Sequence, residues 1–237
     1  MAVLATMMEW DWERAEASFQ RAIGLDPSYT WAYETYALHL TVRGRLGEAI
    51  VQLERARQID PISPFSTGID LGYVYALKGD LESAASAWQE ALDLTPEDYR
   101  IHRHLGNHLC RTGSFERGLE ELEQALSIVP EEERLMADLG YCHALAGNGA
   151  EARLYLRRIE ANAENRYVDP VHPALVHLGL GETERAIELL QRAYEIQSPV
   201  LCEVPIDPRY APIGADPRFA ELVRGMGLYD LLPPPKG

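Results

Sequence analysis

Apolar and small positions recur along the chain at a fixed spacing. Bulky apolar side chains stand at Phe19, Leu53, Trp88, Leu122, Leu156 and Leu190, and four residues before each is a small one: Ala15, Ala49, Ala84, Gly118, Ala152 and Ala186. Three residues after each bulky position come Ala22, Ala56, Ala91, Ala125, Ile159 and Ala193. Offsets of three and four place such a set on one helical face, so each stretch predicts an amphipathic helix. Gly44, Gly79, Gly113, Gly147 and Gly181 precede five of these helices at steps of 35, 34, 34 and 34 residues, and Pro27, Pro61, Pro96 and Pro130 follow at steps of 34, 35 and 34. Glycine between two helical stretches predicts helix A, a tight turn, helix B and then a stop at proline. A single hairpin of this kind cannot bury its apolar face. Stacked on its neighbours it can, so the repeat predicts an α-helical solenoid stabilised between adjacent units.

The residues in these columns resemble the tetratricopeptide repeat (TPR), a unit of about 34 residues. Leu71-Gly72 with Tyr75, Leu105-Gly106, Leu139-Gly140 and the stretch from Gly79 to Pro96 carry the likeness, which covers residues 1–198 in phase. It implies an all-α fold: a right-handed superhelical TPR solenoid of about six helical hairpins with a C-terminal capping helix. The expected division is 1–27, a truncated first repeat; 28–61, 62–96 and 97–130, repeats two to four; 131–164, a divergent fifth; 165–198, the sixth; and 199–237, cap and tail. The departures are a short first helix A at Met1–Met8, Glu164 where proline belongs, Pro173 where leucine is usual, and one extra residue near Ile62–Ser66 that implies a looser connection.

Toward the C-terminus, Asp207-Pro208-Arg209-Tyr210 and Asp216-Pro217-Arg218-Phe219 repeat one phrase. Each suits an N-cap followed by proline at the first helical position. Phe219, Leu222, Val223 and Met226 then form one apolar stripe ending near Gly227, expected to seal the open face of the last repeat. With the Leu178–Gln197 hairpin, this end resembles the TPR region of bacterial signalling proteins that carry a winged helix, a nucleotide cyclase or a protein kinase. The resemblance leaves two alternatives, a chain that stands alone or the sensor half of a longer product.

Composition narrows the function classes. With 46% hydrophobic and 25% charged residues in 237, the chain has the balance of a folded globular protein. Its 22 Lys and Arg against 37 Asp and Glu leave a net charge of −15, which repels a phosphate backbone, so no direct nucleic-acid partner is expected. No apolar run approaches the roughly 18 residues of a membrane span, and Met1–Met8 lacks the basic start of a signal peptide. Cys110, Cys142 and Cys202 are odd in number and widely spaced, which argues against a disulfide framework and predicts a reducing, cytoplasmic setting.

Motifs for catalysis are sparse. Gly179-Leu180-Gly181 lacks the third glycine and the preceding strand of a phosphate loop, and no Gly-x-Ser-x-Gly elbow occurs. His104 and His108 share a helix face, with Cys142 and His143 on the neighbouring helix A, but no His-Glu-x-x-His pattern accompanies them. Packing and surface roles are the expectation for these histidines, and a solvated face for Glu120-Glu121 and Glu131-Glu132-Glu133. The chain is therefore read as a non-enzyme without cofactor or metal.

What remains is a surface. On helix A of the third repeat, a stripe with Ser66, Ile69, Tyr73 and Ala76 lies about 120° from the core stripe of Gly68, Leu71, Gly72 and Tyr75. The TPR resemblance implies that this second stripe lines a concave groove for a partner peptide or helix. Carried along the chain, the groove contains Trp31, Glu34, Leu38 and Thr41; Ser66, Ile69, Asp70 and Tyr73; Arg100, Arg103, Asn107, Cys110 and Arg111; then Arg134, Asp138, Tyr141 and Ala144. Four arginines between Tyr73 and Tyr141 suit an anionic group, because guanidinium donates paired hydrogen bonds to carboxylate or phosphate. Equally, they can pair with Asp70, Asp138 or nearby glutamates. The clamp by which some TPR proteins grip a Glu-Glu-Val-Asp chaperone tail is incomplete: Arg103 and Asn107 match its first pair, whereas Asp138 and Val168 stand where Asn and Lys are required. The expected function is a non-catalytic interaction or regulatory scaffold. A sensor for a small anionic ligand, coupled to a signalling effector, is the alternative, and the apolar Met1–Met8 helix adds self-association as a third expectation.

Overall fold

The computed structural model describes residues 2–61 and 67–232. The extra residue near Ile62–Ser66 and the groove position Ser66 lie outside the described residues. Helices α1 (Ala2–Met7), α2 (Trp12–Leu25), α3 (Thr30–Val42), α4 (Leu46–Ile59), α5 (Thr67–Lys78) and α6 (Leu81–Leu94) are followed by α7 (Tyr99–Arg111), α8 (Phe115–Ile128), α9 (Glu133–Leu145), α10 (Gly149–Ala163), α11 (Val171–Gly179) and α12 (Thr183–Glu195). Two 3₁₀ segments, Leu201–Ile206 and Pro208–Ile213, lead to α13 (Pro217–Gly225) and a last short turn at Tyr229–Leu231. No strand occurs among the described residues. The chain divides into one unit of residues 1–94 with 197–237 and a second of residues 95–196.

The repeat columns explain the hairpins. Gly44, Gly79, Gly113, Gly147 and Gly181 adopt φ between 71° and 85°, the left-handed conformation that ends one helix and starts the next with little steric cost. Ala49, Ala84, Ala152 and Ala186 are fully buried, and so are Leu53, Leu122 and Leu190 four residues on. Small side chains let helix B approach helix A, while the bulky one fills the wedge between them. In the α7–α8 pair the backbones themselves come close: a methyl group on Gly106 would stand 2.7 Å from Leu122 Cγ and 2.8 Å from the Gly118 carbonyl oxygen.

Three features depart from the sequence expectations. In the first unit, α1 is not an uncovered apolar helix: Ala5 and Thr6 are buried, and Thr6 Oγ1 lies 3.0 Å from His39 Nδ1. Among the described residues of this stretch Met8, just beyond α1, is the one largely exposed, because α1 packs on α2 and α3 as the first helix of a hairpin does.

The C-terminal segment also has another partner than the one expected. It belongs to the unit of the first repeats, where Leu201–Ile206 packs on α3 and the Trp12 indole Nε1 donates 2.6 Å to the Met226 carbonyl. Gly227, at φ 73°, brings its backbone against the same indole, and Leu231 reaches Gly44. The repeated Asp-Pro-Arg phrases do cap as expected: Asp207 and Asp216 accept from the backbone N–H of Arg209 and Arg218. The segment thus packs on the first repeats, since Trp12 and α3 offer an apolar and hydrogen-bonding surface that the pattern of the tail alone does not reveal.

The third departure is in the second unit. Cys110 of α7 and Cys142 of α9 form a disulfide with Cα atoms 5.8 Å apart, and the buried Cys202 is not in a disulfide. Wide spacing in sequence had argued against a disulfide, but a separation of 32 residues is close to one repeat, so the two thiols fall on adjacent first helices. The cysteines therefore no longer argue for a reducing compartment.

Candidate functional site

The second unit gathers polar side chains on its three first helices, α7, α9 and α11, which pack side by side. Asp138 of α9 is at the centre with its residue fully buried. Burying a carboxylate is costly without partners. Asn107 Nδ2 of α7 donates to Asp138 Oδ2 at 2.9 Å, and Arg103 Nη1, one turn earlier, stands 3.9 Å from the same oxygen. Arg103 Nη2 lies 3.2 Å from His104 Nε2. Two residues of one helix four apart thus converge on one carboxylate of the next, which the helical spacing permits.

The α11 side contributes His172. Burial holds its imidazole below the usual histidine range; Arg134 pushes in the same direction, while Asp169, Asp138 and Glu132 oppose it. Burial thus disfavours the protonated imidazole in a field to which Arg134, Asp169, Asp138 and Glu132 contribute. Asp169 turns the chain into α11 by accepting from the Val171 N–H at 3.0 Å, and the Tyr167 hydroxyl donates to its other oxygen at 3.2 Å. Burial, then the Asp169 charge, raises the Tyr167 phenol to about 12. Tyr141 packs against Gly179, where a methyl group would sit 2.9 Å from its ring.

Within this unit Arg103 and Asn107 therefore meet at Asp138, whereas Arg134 bears on His172 and Tyr141 on Gly179. Arg111 is exposed at the end of α7. Arg100 is held locally, its Nε 3.0 Å from Asp98 Oδ1 and its Nη2 2.5 Å from Oδ2. Asp98 also caps α7 through the Arg100 N–H, the same clamp that Asp207 and Asp216 make on Arg209 and Arg218. The pattern Asp-x-Arg at a helix start was the signal that could have taken Arg100 off the recognition stripe. Pairing with Asp138 and Asp98 is thus present, and the internal alternative describes part of the arginine set. Sequence reasoning did not single out His172, Asp169 or Tyr167, because the repeat columns say nothing about the loop that enters α11.

The stripe in the first unit is less open. Trp31 and Leu38 are exposed, but Glu34 and Thr41 are buried, and so is Ile69, whose carbonyl accepts from Trp88 Nε1 at 3.2 Å. Tyr73 is half-buried. Packing of Leu201–Ile206 on α3, in addition to α2 and α4, accounts for a helix covered on most of its sides. Among the described residues no group of three or more His, Cys, Asp or Glu side chains is placed to hold a metal. His143 instead stacks on Tyr155 at 5.7 Å, and burial lowers the His108 pKa.

A family model for the TPR repeat matches residues 72–113, and one for the tetratricopeptide repeat matches residues 11–64 and 105–166. The chain belongs to the tetratricopeptide-repeat family. Tetratricopeptide-repeat proteins commonly mediate protein–protein interaction or scaffolding, and their fold is typically non-catalytic. The fold is similar to that of PilW, a widely conserved type IV pilus biogenesis factor, at 19% identity and TM-score 0.62, covering 90% of this chain and 94% of that one. The anaphase-promoting-complex hetero-tetramer Cut9–Hcn1 aligns at 18% identity and TM-score 0.60 over 91% of this chain and 39% of that chain. Pseudomonas aeruginosa PilF aligns at 20% identity and TM-score 0.53, over 87% and 97%. Comparison with curated protein sequences gives no match. Among the described residues no helix is long and apolar enough to cross a membrane.

Proposed function

We propose that this protein is a non-catalytic scaffold that holds a partner polypeptide against the first helices of its second unit, with Arg103, Asn107, Arg134 and Tyr141 making the recognition contacts. The observation that supports this most is the convergence of Arg103 and Asn107 from α7 on Asp138 of α9, with Arg134 and His172 in the same electrostatic neighbourhood. Asp138 orients its α7 partners as a buried carboxylate orients donors. A partner carboxylate can then receive hydrogen bonds from an Arg103 guanidinium already held beside Asp138, which lowers the ordering cost of binding.

The expected partner is a peptide segment with at least one acidic side chain. Its affinity falls as salt rises, because charge pairs at a solvent-facing surface are screened. A fluorescein-labelled hexaglutamate peptide serves as probe in fluorescence anisotropy. Replacing both Arg103 and Arg134 by Gln is expected to weaken binding by about 2 kcal/mol, from two charge-assisted hydrogen bonds of roughly 1.5–3 kcal/mol each that do not add fully. Equal affinity of the parent and the double variant, or tighter binding in high salt, removes these arginines from the site. Attention then moves to the exposed Trp31 and Leu38, where an apolar partner helix is the fitting ligand.

A further inference from the structure

The disulfide and the polar contacts of the candidate site span the same pair of helices. Asn107 and Cys110 are three apart on α7; Asp138 and Cys142 are four apart on α9. These offsets put both pairs on the faces where the helices meet, so the Asn107–Asp138 hydrogen bond and the Cys110–Cys142 bond are successive rungs between α7 and α9. The sulfur rung is set in apolar packing, with Leu122 and Leu139 buried around it and Phe115, Leu119 and Tyr155 at its edge.

A second observation shows that the neighbouring helix is shaped for it. In the small-residue column Ala15, Ala49, Ala84, Ala152 and Ala186 are all alanine, and the one glycine is Gly118 on α8. A methyl group at Gly118 would stand 2.6 Å from Cys110 Sγ and 2.9 Å from the Cys110 nitrogen. The column departs from alanine at the place where α8 faces the bonded sulfur.

We propose that Cys110 and Cys142 are positioning residues for the partner-binding face: their disulfide sets the α7–α9 separation at which Asn107 and Arg103 reach Asp138. This rests on the reading of that face as a binding surface. The bond forms by thiol–disulfide exchange with a small-molecule disulfide such as oxidised glutathione. One cysteine thiolate attacks the oxidant's disulfide to give a mixed disulfide and release one thiolate; the second cysteine thiolate displaces the other. The two cysteines lose two protons and two electrons, and the oxidant is reduced to two thiols. Both cysteines are buried in the folded unit, so the bond is made as the unit closes and is thereafter shielded from exchange. The protein is thereby assigned to a setting that supplies such an oxidant.

The test uses the full chain, folded in a glutathione redox buffer. Peptide mapping without reduction is expected to find Cys110 linked to Cys142, with Cys202 as the free thiol. In the C110S/C142S double variant, hydrogen exchange at the Asn107 side-chain amide, read by NMR, is expected to be at least tenfold faster, and affinity for the labelled hexaglutamate peptide at least fivefold weaker. An Ile159→Ala variant, truncated at a buried α10 position outside the apolar cluster around the sulfurs, supplies a general loss of stability for comparison. It is expected to leave the Asn107 amide protected. Absence of the cross-link, an unchanged Asn107 amide in the double variant, or equal loosening by Ile159→Ala overturns the proposal. Failure of the unmodified chain to bind the peptide instead counts against the binding surface, and the Asn107 readout still decides the positioning role.

Discussion

Single residues control this fold where backbones approach. Gly106 and Gly118 face one another between α7 and α8, and neither has room for a methyl group. Alanine in place of Gly106 gains up to about 1 kcal/mol of helix propensity but must push Leu122 and the Gly118 carbonyl away. The expected net effect is a destabilisation of about 1–2 kcal/mol, seen as a lower denaturation midpoint with unchanged helicity; an increase in stability would show that the two helices separate without penalty. Gly79, by contrast, has open space around a methyl group, so its φ of 85° alone makes it glycine. The period assigns the two kinds to different columns, turn and packing, but how little room a packing glycine has is decided by the neighbouring helix.

Among the elements, α13 shows how a well-formed helix can be legible while its docking partner is not. Asp216 at its N-cap, Pro217 at its start and the buried stripe of Phe219, Leu222 and Val223 all follow from the sequence. Its segment is nonetheless tied to the first repeats through Met226, Gly227 and Leu231. Phe219 lines a cavity of about 160 Å³ with Val204, Tyr210 and Leu231. Phe219→Asp puts a charge into this apolar lining, and at least about 2 kcal/mol of destabilisation is expected. The effect belongs to the first unit, so limited proteolysis should release the C-terminal segment before it cuts residues 95–196. An unchanged melting temperature and cleavage pattern would show that α13 does not contribute to that packing.

At the scale of the whole molecule, acid sensitivity follows from buried histidines, and His39 shows how. His39 is enclosed by Trp12, Phe19 and Tyr36 rings and touches Thr6. Burial takes its pKa from 6.5 down to about 4; Glu16 opposes this, and Arg43 and Arg45 add to it. Below pH 6.5 the unfolded chain binds a proton at this residue that the folded chain does not. Stability therefore falls as the pH drops from 6.5 to about 4, by roughly 3 kcal/mol over the full interval. Glu16, whose hydrogen bonds from Tyr36 and Arg45 hold its carboxyl below the usual range against the effect of burial, adds a further loss at lower pH as it becomes protonated. Denaturation curves at pH 7 and 5.5 measure the first effect, and His39→Gln is expected to reduce the difference, leaving the part due to His172 and His108, which burial also holds low. An equally steep dependence in that variant would place the sensitivity elsewhere.

The sequence by itself determined the helices and their pairing into hairpins, because a hairpin is closed by residues a few positions apart: a glycine that permits the turn, small and bulky residues at offsets of four, and proline to end the unit. It also put Arg103 with Asn107 on α7, and Arg134 with Tyr141 on α9, at offsets of four and seven, so that each helix carries its pair on one face. Only the tertiary structure decided what that face meets. Asn107 reaches Asp138 across 31 positions, and Cys110 finds Cys142 across 32. Those contacts depend on how closely successive first helices pack, a distance set by side-chain volumes rather than by spacing in the chain. Trp12 finds Met226 across 214 positions, and for that contact no local pattern carries a signal. A capping helix announces its apolar face, and any complementary surface can satisfy it; the surface on Trp12 and α3 was chosen by the folded shape.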